Sequence, residues 1–245
     1  MNAEVAPSPV LPGKALSPGV AFAWIGEGWG LFRASALMWV VLTLLLLIVA
    51  IAFTFIPFLG SLAWQVLTPV IAGGLVLGCR ALENGEELEL EHLVAGFKRN
   101  FPGLAIVGAI YVVGGIVVLL VFGMFVGLSL LPALLAGDTE NALGAIAAMG
   151  GGLLIGTLVV TILSLLLGAA VWLAPALVVL HGVNPVDAMK ASFFGAFRNF
   201  IAVVIYAIVM FLLAILAAIP FGLGMLVWVP LLVTSSYRAY RQIFT

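Results

Sequence analysis

The chain has 245 residues, 65% of them hydrophobic and 8% charged, with a mean hydropathy of +1.35. A water-soluble domain of that length cannot hide so much apolar surface. Nine Lys and Arg stand against ten Asp and Glu, which excludes the basic footprint of a nucleic-acid binder and leaves an all-α, polytopic membrane bundle.

The first stretch, MNAEVAPSPVLPGKALSPG, lacks the basic start, apolar run and cleavage site of a secretory signal peptide. Its proline content predicts a disordered cytoplasmic tail over residues 1–17, followed by a membrane domain over 18–245. Crossing the hydrocarbon takes about 20 apolar residues. Such runs predict six spans near 36–59, 62–82, 103–131, 150–180, 199–219 and 221–240. In the first, fourteen residues between Met38 and Ile56 are Leu, Ile, Val, Phe or Trp, worth about −5 kcal/mol of insertion at about −0.4 each. The stretch from Ala142 to Leu180 is too long for one span and too short for two. Its portion before Gly150-Gly151-Gly152 is therefore expected on the outer face.

Six spans place Lys14, Arg33, Arg80, Lys98, Arg99, Lys190, Arg198, Arg238 and Arg241 all on one side. The three opposite connections hold only Asp138 and Glu140. Because cytoplasmic loops collect positive charge, this predicts both termini inside. The lone cysteine, Cys79, sits in an apolar run and excludes an internal disulfide.

An order of features recurs three times: a capped amphipathic stretch, Phe next to a basic residue, an apolar span, a turn, and a span containing Pro. It reads Phe32-Arg33 with Trp64 and Pro69, Phe97-Lys98-Arg99-Asn100 with Trp172 and Pro175, and Phe197-Arg198-Asn199 with Trp228 and Pro230. A threefold hairpin repeat is the expectation. In the third unit Asn184 caps, Pro185 opens the helix and Asp187 favours its positive end. Val186, Met189, Phe193, Ala196, Phe197 and Phe200 follow at helical spacing, as in a helix lying in the membrane surface. Leu90, Leu93, Val94, Phe97 and Phe101 repeat that stripe in the second unit.

The segments GEGWGLFR, CRALENGEELELEHLVAGFKRNF, WLAPALVVLHGVNPVDAMKASFFGAFRNF and SSYRAYRQIF together resemble a family of proteobacterial six-span inner-membrane proteins. More distantly, the Ala-x-x-x-Ser-Phe…Arg-Asn pattern is similar to the membrane domain of some glycerophosphodiester phosphodiesterases. The resemblance implies a location in the bacterial inner membrane. Its motifs describe architecture rather than chemistry, and no catalytic residue carries over.

No ionisable group falls in the middle of a predicted span, which argues against a proton-coupled pump or an ion channel. Pro69, Pro175 and Pro230 each free a backbone carbonyl within a span, and read either as packing kinks or as walls of a pathway. Gly74-x-x-x-Gly78, Gly123-x-x-x-Gly127 and Gly152-x-x-x-Gly156 permit close helix contact. His92 and His181, with Glu89 and Glu91, lack the spacing of a metal site. Ser192, near Lys190 and Asp187, has no adjacent base to make it a nucleophile. Arg33, Lys98, Arg99, Lys190, Arg198, Arg238 and Arg241, interleaved with Trp24, Trp29, Tyr237 and Tyr240, read as a face for anionic lipid headgroups or as general anchors. Catalytic, cofactor and metal residues are expected to be absent. The expected partners are the bilayer and other membrane proteins or further copies. These features point to a non-enzymatic scaffold, assembly or envelope-homeostasis component; the alternative is a transporter or channel for a neutral solute or lipid.

Overall fold

A computed structural model describes residues 8–136 and 142–245, with side chains at all of these except 130, 132–136 and 142–149. No strand occurs among the described residues. The elements are α1 (Val20–Ala34), α2 (Ala36–Thr54), α3 (Leu59–Glu83), a 3-10 turn (Leu90–Leu93), α4 (Ala95–Ala136), α5 (Ala142–Trp172), α6 (Ala174–His181), α7 (Pro185–Arg198), α8 (Phe200–Ala218) and α9 (Met225–Phe244).

Five stretches are long and apolar enough to cross a bilayer: Ala36–Thr54, Leu59–Glu83, Leu90–Ser129, Gly150–His181 and Phe200–Ala218. The sixth expected span falls on α9, which is a different kind of helix. Its last turns carry Tyr237, Arg238, Tyr240 and Arg241, and Tyr237, Tyr240, Ile243 and Phe244 are buried. The expected outer-face segment before Gly150 has no described side chains, and the backbone of α5 runs unbroken through the three glycines.

Each Phe-basic motif precedes a break. Ser35 (φ −147°, ψ 49°) separates α1 from α2. Asn100 (φ −160°, ψ 61°) bends α4, and Asn199 (φ −111°, ψ 29°) separates α7 from α8. At Asn100 the side-chain oxygen accepts the Gly103 N–H at 3.1 Å, capping the helix that restarts there.

The chain divides into two compact units, Met1–Ala109 with Ala169–Thr245, and Ile110–Gly168. The first is built on close helix crossings. A Cβ on Gly28 of α1 would lie 2.7 Å from the backbone of Ser235 in α9, so the two backbones touch. Gly74 of α3 faces the His92 carbonyl, and Gly96 of α4 faces the carbonyl of Val70. Beside these crossings Trp24, Trp172 and Tyr206 form a ring cluster with centroids 5.4–6.2 Å apart.

Of the expected N-terminal tail, residues 1–7 lie outside the described residues. From Val10 onward the chain is held against the end of α9. The N–H groups of Val10 and Lys14 donate to the carbonyls of Phe244 and Ile243, both at 2.8 Å. Leu16 N–H donates to Asn199 Oδ1 at 2.7 Å, Asn199 Nδ2 donates to the Lys14 carbonyl at 2.9 Å, and Arg198 donates to the Gly13 carbonyl at 2.8 Å. The last carbonyls of a helix have no partner within it, and this segment supplies them. Gly13 makes the close approach with φ +103°, where a Cβ would meet Ile243 at 2.7 Å.

The second unit is an antiparallel pairing of the parts of α4 and α5 that fall within 110–168. Gly114 faces Leu167, Phe125 faces Gly156, and Ser129 faces Gly152. Many of its other described side chains are exposed, including Leu119, Leu120, Leu154, Leu158 and Leu165, each more than 60% exposed.

Candidate functional site

α1, the start of α4 and α7 carry Arg33, Lys98, Arg99, Lys190 and Arg198, most of the predicted headgroup cations. In α7, Asn184 caps as expected by accepting the Val186 N–H at 3.1 Å. The predicted apolar stripe of α7 does not stay together. Met189 and Ala196 turn inward with Ala188, Ala191, Ser192 and Gly195, whereas Val186, Phe197 and Phe200 are exposed together with Phe194. Close packing selects the small residues: a Cβ on Gly195 would sit 2.8 Å from the Phe244 ring. The phenylalanines are left outward, with Phe193 stacked on Phe197 at 4.6 Å.

Ser192 is fully buried and has a structural task that spacing alone did not reveal. Its hydroxyl donates to the Ala169 carbonyl at 2.7 Å and accepts the Leu173 N–H at 3.0 Å. It thereby satisfies backbone groups at the break between α5 and α6. His92 Nδ1 accepts the Glu89 N–H at 3.0 Å. His181 ends α6 before the left-handed Gly182 and pairs with the Tyr240 hydroxyl. The two histidines are thus engaged separately.

A charged network ties the middle of α1 to the C-terminal turns of α3 and α9. Glu83 accepts hydrogen bonds from Tyr237 Oη at 2.6 Å and Arg238 Nη1 at 2.7 Å, and pairs with Arg241 Nε at 3.4 Å. Glu27 accepts Gln242 Nε2 at 2.9 Å and lies 3.8 Å from Arg238 Nε. The side chains of Glu83 and Arg238 are only 20% and 22% exposed, so the attraction acts at reduced dielectric.

The seven predicted headgroup cations fall into different environments. Arg238 and Arg241 serve the Glu83 network, and Arg198 holds the N-terminal segment. Lys98 pairs with Glu91, and Lys190 lies 3.8 Å from Asp187, both pairs exposed. Arg33 and Arg99 are exposed and make no hydrogen bond or ion pair among the described residues.

Of the three prolines, Pro69 lies inside α3, Pro230 lies inside α9, and Pro175 starts α6 after the break at Leu173. Pro69 and Pro175 wall a cavity of about 390 Å³; Pro230 does not line it, although Leu232, Val233, Ser236 and Tyr237 of the same helix do. Leu46 of α2, Trp64 and Thr68 of α3 and Trp172 complete the apolar enclosure. Most of the few polar side-chain groups here already have partners. Thr68 donates to the Trp64 carbonyl at 2.8 Å, Trp172 Nε1 donates to Ser236 Oγ at 2.8 Å, and Tyr237 donates to Glu83.

No family model matches the chain, and no solved structure matches it. A probable inner membrane protein of Burkholderia thailandensis is 29% identical over 215 residues, spanning 86% of this chain and 78% of the relative. Together with five bilayer-length apolar helices, this makes the chain a transmembrane helical protein. Nothing in these comparisons supports the likeness to glycerophosphodiester phosphodiesterases.

Proposed function

We propose that the protein is a non-enzymatic scaffold of the bacterial inner membrane, and that the paired helices of 110–168 are its docking arm for another membrane protein. One observation carries this reading: the arm is both longer than a bilayer requires and apolar along its outward faces. At about 1.5 Å per residue, the part of α5 from 142 to 168 extends some 40 Å, against about 30 Å of hydrocarbon. Lipid covers only part of that length, whereas a partner helix covers all of it. Gly115, Gly123, Gly127, Gly150 and Gly151 have open space where a Cβ would stand, so a second helix can approach closely along these faces.

On this reading the 221–240 stretch, which holds most of α9, completes six spans, with both termini remaining inside. The three breaks at Ser35, Asn100 and Asn199 support the threefold repeat, since each turns a short surface helix into an apolar one after the same Phe-basic motif. Arg33 and Arg99 then contact anionic headgroups, beside the exposed rings of Phe97 and Phe101.

The test is photo-crosslinking in cells from probes placed at Leu120, Leu128, Leu154 and Leu158. Adducts to one protein partner are expected at several of these positions, and adducts to lipid alone would overturn the scaffold. Adducts between copies of this chain would replace the partner by self-assembly. Reporter fusions near Asp138 and near Pro185 test the topology, with opposite sides expected.

A further inference from the structure

We infer that the cavity walled by Pro69 and Pro175 is a binding site for one acyl chain of a bilayer lipid. Three observations select that guest. First, of the polar groups on the lining residues, the Thr68 hydroxyl, the Trp172 indole N–H and the Tyr237 hydroxyl each donate to a protein acceptor and the Ser236 hydroxyl accepts from Trp172, which leaves only the Trp64 indole N–H without a hydrogen bond among the described residues. Water needs two to four polar partners to stay in such a space, and a polar solute would find equally few. Second, no charged side chain lines the cavity; Glu83 lies behind Tyr237, with its charge matched by Arg238 and Arg241. An anionic or cationic guest therefore has no counter-charge within. Third, the walls come from α2, α3, the α5–α6 junction and α9, of which the first three belong to bilayer-length apolar stretches. The molecule at high concentration around them is hydrocarbon chain.

The volume of about 390 Å³ falls within the roughly 300–1,000 Å³ of small-molecule sites. Left empty, walls of this size forfeit the dispersion contacts that a close-packed interior makes. The two prolines keep the walls apart: Pro69 sits inside α3, where it removes one helix hydrogen bond, and Pro175 fixes the start of α6 after the break. A preformed apolar slot of this kind takes a flexible chain without rebuilding itself. The headgroup stays outside, so the site selects for the chain rather than for the head.

The test uses the full-length protein in vesicles of phosphatidylethanolamine, doped with a phosphatidylethanolamine bearing a mid-chain diazirine. Illumination is expected to label peptides containing 64–76, 171–176 and 232–237. The variants Ala72→Phe and Leu232→Trp fill the cavity and are expected to lower that labelling about tenfold. Labelling of 153–165, which faces outward, serves as the internal standard and stays constant. Protection of the buried Cys79 thiol reports that each variant is folded; if Ala72→Phe is not, Leu232→Trp decides. Undiminished labelling of the cavity peptides in a folded, filled variant would overturn the site, as would wild-type label confined to 110–168. The site does not rest on the scaffold reading, and protein adducts from Leu120 or Leu154 would survive its failure.

Discussion

The two units use the same residues in opposite ways. In the unit formed by the first 109 and last 77 residues, Gly28, Gly74 and Gly96 each lie against another helix's or turn's backbone. In the 110–168 unit, Gly152 and Gly156 are packed against Ser129 and Phe125, whereas Gly123 and Gly127 face open space. A small-x-x-x-small motif therefore marks a face fit for close approach without saying whether the chain itself fills it. The first unit also ends its helices in a charged network, while the second carries no Asp, Glu, Lys or Arg on its described residues. One unit is consolidated internally, and the other exposes much of its apolar surface.

That contrast predicts a hierarchy of effects, and Glu83→Ala stands at its top. Removing this carboxylate leaves Arg238 and Arg241 without their counter-charge and Tyr237 without its acceptor. Breaking a buried pair costs about 3–5 kcal/mol, and the 20% exposure of Glu83 places the loss near the lower end. The buried thiol of Cys79 provides the measurement, because a thiol-reactive dye labels it only on unfolding. If the variant resisted detergent-driven unfolding as well as the wild type, the network would not be what consolidates this unit.

Next comes the crossing of α1 over α9. Gly28→Val places branched atoms where even a Cβ would be 2.7 Å from the Ser235 backbone, an overpacking cost of about 1–3 kcal/mol. The same substitution at Gly123 is expected to change stability by no more than about 0.5 kcal/mol, as at an open surface position. Equal losses at the two sites, read by dye labelling of Cys79, would erase the distinction between the units.

Asn199→Ala should follow with a loss of about 2 kcal/mol, at roughly 0.5–1 kcal/mol for each of three lost bonds. The side chain joins Leu16, Lys14 and Gly195 in three bonds. Its removal should also free the N-terminal segment, and limited proteolysis at Lys14 is the sharper readout. Cleavage no faster than in the wild type would mean that the segment is held by its backbone bonds to α9 alone.

How much of this was legible beforehand follows from the range of the contacts involved. The apolar runs at 36–54, 59–83 and 200–218 declare themselves through local composition, and so does the Asn184 cap, which reaches only two residues ahead. The role of α9 was not legible. Its Tyr237 and Arg238 meet Glu83 across 154 and 155 positions, and no periodicity encodes that pairing. The stripe on α7 was read as one face because spacing shows which residues are apolar, not which are small enough to let another helix close in. Pro69 and Pro175 were visible as kinks, but their shared cavity depends on Leu46 and Leu232, two leucines that nothing in the sequence sets apart from their neighbours.

The smallest effect on stability is also the one that bears most on function. Gly123→Leu fills an open position on α4, so the folded chain has nothing to clash with, and replacing glycine inside a helix even favours the helix by up to about 1 kcal/mol. A partner helix seated on that face would meet the new side chain directly, because close approach depends on the missing Cβ. Unfolding by the Cys79 assay should therefore be unchanged or slightly slower, while protein adducts from Leu120 and Leu128 fall severalfold. If both the adducts and the stability were untouched, the open glycines of α4 would be facing lipid, and the docking face would have to lie on α5 along Leu154, Leu158 and Leu165.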